Sequence, residues 1–399
     1  MSHRVSVFDR ILQDAVEEGL AVGLSARITH KGQDLYRGAA GWADRENGVP
    51  FSCDTILHIF SMTKLVTSVA ALKLFEEGCF SLDDPVSKFL PCFKEMKVID
   101  YDSSGQLITR PATVPLTIRH LFTMTAGFSY QISTTAAERP RNLEDARIIT
   151  DKILRQAAAE PNLTSEKMLE YISTIPLAFE PGTQWLYGVC SDVLAGVVEH
   201  IAQKPWGEFL KDEIFDPLGM KDTCFRPTPQ QEARLAVIYD YSDPQHVVPY
   251  DPYAFNIYHQ PDSTNEHFIG ALLSTLDDFS AFGQMLANLG TYNGVRILGK
   301  NTVRFMGSDQ LTPWQHDFYR RTVCPADHSS WGMLCRVTKS LNNVRPYLFP
   351  GSFGWSGWAG THCIADPEHE MSFTFMVQRV PSDSYGVLSK LTAAAYAMI

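Results

Sequence analysis

The sequence Ile59-Phe60-Ser61-Met62-Thr63-Lys64-Leu65-Val66 places a serine three residues before a lysine, at the start of an apolar periodic segment. That segment predicts a helix, because its apolar residues recur at helical spacing until Gly78: Leu65, Val66, Val69, Leu72 and Phe75. If the helix begins near Ser61, then Ser61 and Lys64 lie on one face, one turn apart. A serine needs a neighbouring base to act as a nucleophile, and a neutral lysine amine can be that base. The same spacing also fits a serine helix cap followed by a surface lysine, so the rest of the chain must decide.

The composition is that of an ordinary globular protein. Of 399 residues, 45% are hydrophobic and 20% are charged, and the formal net charge is -11. An acidic chain is repelled by nucleic acid and by anionic lipid, so neither is expected as a partner. No apolar run reaches the roughly 18 residues that a membrane span requires.

The sequence predicts a cytoplasmic protein that uses no metal or cofactor. Residues 1–16 are charged and amphipathic, unlike an export signal. The eight cysteines show no paired spacing, and the twelve histidines form no metal-ligand pattern. The Gly-x-Ser-x-Gly motif of α/β-hydrolases and the glycine motifs of nucleotide-binding proteins are also absent from the sequence.

The order of predicted elements indicates a sheet built from both ends of the chain. Helical periodicity predicts helices at 5–18, 118–125, 143–160, 165–172, 192–201, 276–289, 300–307 and 387–398. Strand-like runs occupy 23–29, 35–38, 332–337, 361–366 and 372–377. Residues 225–265 are expected to form loops. We therefore predict a sheet domain at 1–60 and 266–399 and a mostly helical domain at 61–265, with the active site at their interface.

Tyr187 is a second candidate for chemistry. It follows a Pro-Gly turn and an aromatic run, and Ser191 can cap a helix that starts shortly afterwards. A phenol above a serine–lysine pair can transfer a proton. A buried packing tyrosine is the alternative interpretation.

A third candidate is the glycine-rich segment 351–361. Many glycines beside a strand indicate that the backbone approaches another group closely. That group can be a ligand, whose developing oxyanion a backbone N–H would bind. A β-bulge or the tight crossing of a terminal helix fits equally well.

Together these segments resemble the serine β-lactamase and penicillin-binding-protein superfamily, most nearly the family VIII carboxylesterases and class C β-lactamases. Ser61 and Lys64 match the first motif of that superfamily and Tyr187 the second. Trp355-Ser356-Gly357 stands where β-lactamases carry Lys-Thr-Gly. The resemblance implies an α+β fold, in which an antiparallel sheet is flanked by terminal helices and joined by an inserted, mostly helical domain.

Two departures from the β-lactamase pattern bear on the substrate. Val189 stands where those enzymes place an asparagine that holds the amide side chain of a lactam. Trp355 replaces the cation that would bind a lactam carboxylate, and resembles certain family VIII esterases in this respect. Both departures favour a neutral, apolar ester over an anionic lactam.

The resemblance also implies a mechanism. Ser61 would attack the acyl carbonyl, Lys64 and Tyr187 would carry its proton, and the backbone N–H groups of Ser61 and Trp358 would bind the oxyanion. Ser356 and Gly357 would belong to the same substrate-binding segment, and residues 128–176 and 239–258 would wall the acyl pocket. We expect a carboxylesterase for short-chain, small-molecule esters. The alternatives are an acyltransferase to a small-molecule alcohol, a weak β-lactamase or peptidase, and a non-catalytic binding protein.

Overall fold

The computed structural model describes residues 2–130, 140–160, 162–251, 272–323, 329–340 and 347–399. Its α-helices are Ser2–Glu17, Thr63–Glu76, Ile118–Phe122, Arg141–Ala158, Ser165–Ser173, Cys190–Ala202, Trp206–Leu210, Asp216–Leu218, Pro229–Glu232, Leu276–Ala287, Lys300–Met306, Pro313–Val323 and Tyr385–Tyr396. Short 3-10 turns occur at Phe60–Met62, Val86–Lys88 and Pro91–Phe93, and a π-helical turn at Lys211–Phe215. None of the helices within these ranges is both long and apolar enough to cross a bilayer.

An eight-stranded sheet forms the centre of the fold. In chain order its strands are β1 (Gly23–His30), β2 (Gln33–Asp44), β3 (Val49–Pro50), β4 (Ser329–Trp331), β5 (Arg336–Thr338), β6 (Phe353–Ser356), β7 (His362–Asp366) and β8 (Met371–Val377). Their spatial order is β4-β5-β6-β7-β8-β1-β2-β3, and every neighbouring pair is antiparallel. The N-terminal and C-terminal strands meet at the centre, where Ala26 pairs with Phe375. The expected antiparallel sheet built from both chain ends is confirmed.

Helices cover both faces of this sheet. The terminal helices Ser2–Glu17 and Tyr385–Tyr396 pack on one face, where Phe8 and Leu391 share a buried core with Phe373. Helix Leu276–Ala287 packs against strands β1, β7 and β8 on the other face. With apolar surface removed from water on both sides, the central strands are buried along most of their length.

The helical part is organised around Thr63–Glu76. This helix is buried almost all round, and it packs against Cys190–Ala202. One continuous apolar core joins it to the sheet, because Leu65 and Val193 belong to the same buried cluster as Met376. The division into two domains that the sequence predicts stays a prediction.

Four smaller sheets lie in the segments that connect the helices and the strands of the central sheet. Leu57–His58 pairs with Leu273–Ser274, Lys97–Tyr101 with Leu107–Pro111, and Thr291–Tyr292 with Val295–Arg296. Ile238–Asp240 lies between Val248–Tyr250 and Arg379–Val380. The described part of segment 225–265 is therefore not the plain loop that we expected, because strand Arg379–Val380 pairs with it.

Other differences from the predicted elements have local causes. The strand predicted at 332–337 begins only at Arg336, since Leu334 has a left-handed backbone with φ +56. The hairpin Lys97–Pro111, helix Pro313–Val323 and strand Ser329–Trp331 were not predicted. The second strand of that hairpin is mostly exposed, so it lacks the alternating apolar pattern by which strands are recognised.

Candidate active site

The chain enters the site through a strained turn. Leu57–His58 is fixed by its pairing with Leu273–Ser274, and Phe60 then adopts a left-handed backbone with φ +44. Such a conformation is unfavourable for a bulky residue and costs on the order of 1–3 kcal/mol. Met62 N–H donates to the Ile59 carbonyl at 3.1 Å, which closes the turn and sets Ser61 just before helix Thr63–Glu76.

Ser61 lies within hydrogen-bond distance of both candidate bases. Lys64 Nζ donates to Ser61 Oγ at 3.2 Å, and the Tyr187 hydroxyl donates to the same oxygen at 2.9 Å. The Lys64 side chain is buried, with 1% relative exposure. The structure therefore brings the first two sequence motifs together across 126 positions of the chain.

Two phenol rings surround the lysine. Lys64 Nζ lies 5.2 Å from the centroid of Tyr130 and 4.9 Å from that of Tyr187. Aromatic faces attract cations, so both rings present an attractive surface to a positive charge at this position. Burial, with a smaller contribution from Asp192, raises the pKa of Tyr130 well above its ordinary value, so this phenol stays neutral.

Tyr187 is held by its neighbours in sequence and by a tryptophan cluster. A Cβ on Gly188 would lie 2.1 Å from the Phe128 carbonyl oxygen, so only glycine permits this close approach. The Tyr187 ring packs against Trp185 and Trp331 at centroid distances of 6.3 and 6.2 Å. These contacts fix the phenol above Ser61.

Trp355 contacts Tyr187 directly. Its indole Nε1 donates to the Tyr187 hydroxyl oxygen at 3.0 Å, and its ring packs edge-on against Trp331 at 4.8 Å. The tyrosine hydroxyl thus accepts from Trp355 and donates to Ser61. A tryptophan at this position orients the proton of Tyr187 in addition to presenting an apolar face.

The end of strand β6 packs against the Ser61 turn. Ser356 closes the strand in register with His362, and Gly357 N–H then donates to the Thr361 carbonyl at 2.8 Å. A Cβ on Gly357 would lie 2.5 Å from the Ile59 carbonyl oxygen. This glycine therefore allows a close approach of the backbone, and the group it approaches is the chain just before Ser61.

Trp358 packs against the residue that precedes Ser61 and against one of the expected wall segments of the pocket. The Trp358 ring packs edge-on against Phe60 and Tyr250, each at a centroid distance of 5.6 Å. Tyr250 and Tyr130 bring parts of the two expected wall segments to the site, whereas residues 131–139 and 252–258 lie outside the described residues. The sequence had not singled out Tyr130, Trp331 or Tyr250, because nothing in their local pattern distinguishes them from packing aromatics.

No cluster of metal ligands accompanies these groups in the described ranges, where no three His, Cys, Asp or Glu side chains are arranged to hold an ion. The groups in contact with one another at Ser61 are a hydroxyl, an amine and a phenol. A nucleophile in contact with two groups that can accept its proton is the arrangement that acyl transfer requires.

Comparison with known proteins identifies the family. A β-lactamase family model matches residues 8–397. Protein Rv1367c of Mycobacterium tuberculosis is 30% identical over 387 residues, which cover 93% of this chain and 89% of the relative. Esterase EstB of Burkholderia gladioli is 33% identical over 240 residues, 60% of this chain and 55% of its own length.

A solved structure shows the same fold. EstCE1, described as a hydrolase with promiscuous acyltransferase activity, superposes with a TM-score of 0.77 and covers 98% of both chains. At 22% identity this likeness shows the fold alone. Because the family model spans nearly the whole chain, the resemblance inferred from the motifs is confirmed, and the chain belongs to the β-lactamase family, whose enzymes include esterases, hydrolases and acyltransferases.

Proposed function

We propose that this protein is a serine hydrolase that cleaves short-chain carboxylic esters through an acyl-enzyme on Ser61. One observation carries the proposal: Ser61 Oγ accepts hydrogen bonds from both Lys64 Nζ, at 3.2 Å, and the Tyr187 hydroxyl, at 2.9 Å. At the same distance a neutral amine can instead accept the Ser61 proton, and general-base assistance is typically worth about 10² to 10⁴ in rate.

In the proposed reaction Ser61 Oγ bonds to the carbonyl carbon of the ester while its proton passes to the Lys64–Tyr187 pair. The bond from that carbon to the alcohol oxygen then breaks, and the pair returns the proton to the departing alcohol. Water repeats the two steps on the acyl-enzyme and releases the carboxylic acid. The faces of Tyr130 and Tyr187 stabilise the charge that Lys64 carries in between.

The backbone N–H groups of Ser61 and Trp358 are proposed to bind the oxyanion. Support comes from the contact between Gly357 and the Ile59 carbonyl, which holds the end of strand β6 against the Ser61 turn. The N–H of Ser61 also lies at the start of a helix, where the dipole favours negative charge. One such donor is commonly worth about 10² to 10³ in kcat.

The substrate class follows from what surrounds Ser61. Trp355 supplies a neutral indole where a lysine would attract a carboxylate, and Val189 supplies no amide to hold a lactam side chain. The name of Esterase EstB supports the same assignment. A β-lactamase or peptidase activity is therefore disfavoured.

Acyl transfer to a small-molecule alcohol is the second candidate function. It is supported by the description of EstCE1 as a hydrolase with promiscuous acyltransferase activity. It uses the same residues and differs only in whether water or an alcohol reaches the acyl-enzyme. Product analysis with and without an added acceptor alcohol separates the two.

A cytoplasmic location is part of the proposal as well, and the seven free cysteines of the described residues support it.

The proposal predicts that a fluorophosphonate labels Ser61. We expect mass spectrometry to locate the adduct on that residue and Ser61→Ala to lose at least a thousandfold in ester hydrolysis. Ser103→Ala, at an exposed serine, is the matched control and should keep full activity. An adduct on another serine, or full activity in Ser61→Ala, would refute the mechanism and leave the non-catalytic alternative.

A further inference from the structure

Building on the proposed function, we infer that Gln378 is a positioning residue for the reaction at Ser61. Its side-chain amide binds the backbone of His58, just upstream of the nucleophile, and thereby fixes the start of the strained turn that presents Ser61.

The Gln378 amide makes a matched set of hydrogen bonds. The residue directly follows strand β8 and is buried, with 4% relative exposure. Its amide oxygen accepts from the His58 N–H at 3.3 Å, and its amide nitrogen donates to the His58 carbonyl at 3.1 Å. The nitrogen also donates to the Val377 carbonyl at 2.9 Å. Because the nitrogen faces two carbonyls and the oxygen faces an N–H, only this orientation of the amide satisfies every bond.

The amide continues the backbone pairing of the segment that leads to Ser61. Two residues before His58, the Ile56 N–H donates to the Arg234 carbonyl at 2.9 Å, and the Ala236 N–H donates to the Ile56 carbonyl at 2.8 Å. In an extended chain the backbone groups of residues i and i+2 face the same side, so His58 presents its N–H and carbonyl next along this edge. There the Gln378 side chain takes the place of a paired strand.

The turn after His58 depends on such support. Phe60 has a left-handed backbone with φ +44, and a strained conformation persists only where the surrounding contacts enforce it. The Ile59 N–H donates to the Leu272 carbonyl and the Met62 N–H to the Ile59 carbonyl, each at 3.1 Å. These two bonds fix the body of the turn, and the amide fixes the residue from which it departs.

Loss of the Gln378 amide should therefore impair catalysis more than substrate binding. His58 would lose two hydrogen bonds, and the turn could relax toward an unstrained backbone. Ser61 Oγ would then move away from Lys64 and Tyr187, and a misplacement of about 1 Å can cost about a hundredfold in rate. Since Gln378 acts through the backbone of the enzyme, KM should change much less.

The first test is Gln378→Met, which keeps the length of the side chain and removes its donor and acceptor. With nitrophenyl butyrate as the substrate, we expect kcat to fall about ten- to a hundredfold and KM to change by less than about threefold. Gln284→Met is the matched control, because Gln284 is also buried but lies in helix Leu276–Ala287. This control should keep wild-type kcat.

The second test, Gln378→Glu, makes the hydrogen bonds to His58 depend on pH. A neutral carboxylic acid offers His58 one acceptor and one O–H donor, as the amide does, whereas a carboxylate can only accept and would face the carbonyls of His58 and Val377. Burial raises the pKa of a carboxyl group, so kcat relative to wild type should rise about tenfold or more between about pH 8.5 and about pH 5.5. Gln284→Glu, which buries a carboxyl group elsewhere, should show no such rise.

Other titratable groups near the site do not produce this rise. His58 and the Lys64–Tyr187 pair are common to wild type and variant, so their titration cancels in the ratio of the two kcat values. Arg379 follows Gln378 in the chain, but its guanidinium donates to the Leu20 carbonyl at 2.6 Å. A rise in the ratio therefore reports the carboxyl group introduced at position 378.

Three results would overturn the inference. Wild-type kcat in Gln378→Met would show that the amide does not position Ser61. A Gln378→Glu enzyme that is unfolded by circular dichroism at about pH 5.5, or folded there without gaining activity, contradicts it too, because the neutral acid offers the same donor and acceptor. The question is thus decided even if the methionine variant does not fold. If wild type neither hydrolyses the ester nor is labelled at Ser61, the proposed function fails and the inference fails with it, whereas in the first two cases only the inference fails.

Discussion

Gly188 shows how a single residue without a side chain can determine the position of a reactive one. Its backbone lies so close to the Phe128 carbonyl that a Cβ would approach the oxygen to 2.1 Å. Gly188→Ala should therefore displace Tyr187 from Ser61 and lower kcat by about tenfold or more, with KM changing less.

The matched control is Gly386→Ala, because no described atom lies within 4 Å of where the Cβ of that residue would be. This variant should keep wild-type kcat and gain slightly in stability, since alanine favours its helix. Equal kcat in Gly188→Ala and wild type would show that the close approach does not position Tyr187.

Trp355 is predicted to set the preference for neutral substrates. Trp355→Lys introduces a charge that can bind a carboxylate, and a charge-assisted hydrogen bond is worth about 1.5–3 kcal/mol. The ratio of kcat/KM for a penicillin to that for nitrophenyl butyrate should rise roughly ten- to a hundredfold. Trp355→Phe removes the bond to Tyr187 without adding charge, so it isolates the loss of the indole N–H. If the lysine variant leaves the ratio unchanged, the carboxylate argument is wrong.

At the scale of elements, helix Ile118–Phe122 connects a titratable group to the loop that carries Tyr187. The Thr117 N–H donates to His120 Nδ1 at 3.2 Å, and Gly182 lies against the other side of the imidazole. Burial, reinforced by Arg119, lowers the pKa of His120 from 6.5 to about 4. Protonation would remove the acceptor that caps the helix.

This shift predicts a loss of stability in acid. Between pH 6.5 and pH 4 the unfolded chain binds a proton at His120 that the folded chain does not, so the free energy of unfolding falls as pH falls. The contribution is at most about 3 kcal/mol. His120→Gln keeps an acceptor and cannot titrate, so urea unfolding should show a shallower pH dependence over this range. His246→Gln, at an exposed histidine, should follow wild type; a His120→Gln curve parallel to wild type would contradict the prediction.

The elements differ in how far they could be predicted from sequence. The helix after Ser61 and strands β1, β7 and β8 have regular apolar periods, and the structure places them close to the prediction, whereas β2 continues to Asp44, well beyond its predicted end at residue 38. Strand β4 was missed because three residues are too few to show a period. The strand Ile238–Asp240 was missed because it exists through pairing with Arg379–Val380, about 140 residues away in the chain.

The residues of the candidate site likewise fall into those that could be predicted from the sequence and those that could not. Ser61, Lys64, Tyr187 and Trp355 could be singled out because they stand in motifs. The structure links them by three hydrogen bonds: Lys64 to Ser61, Tyr187 to Ser61, and Trp355 to Tyr187. Tyr130 acquires its place over Lys64 only through tertiary packing, which no local pattern encodes.

For the whole molecule, the continuous core predicts a single cooperative unfolding transition. The largest buried cluster includes Trp185 and Val193 of the helical part together with Trp331 and Met376 of the sheet. Since neither part can lose its structure without exposing this shared surface, tryptophan fluorescence and far-ultraviolet circular dichroism should give coincident urea curves. Two separated transitions would show instead that the domains predicted from the sequence unfold independently.

The hydrogen bond from Trp355 to Tyr187 gives the protein an internal optical reporter. Indole emission responds to hydrogen bonding and to nearby charge, and this indole donates to the phenol that contacts Ser61. Acylation of Ser61 turns the oxygen to which that phenol donates into an ester oxygen, which is a weaker acceptor, so it should alter the emission of Trp355. Formation and decay of the acyl-enzyme could then be followed in real time with colourless substrates, without any attached dye.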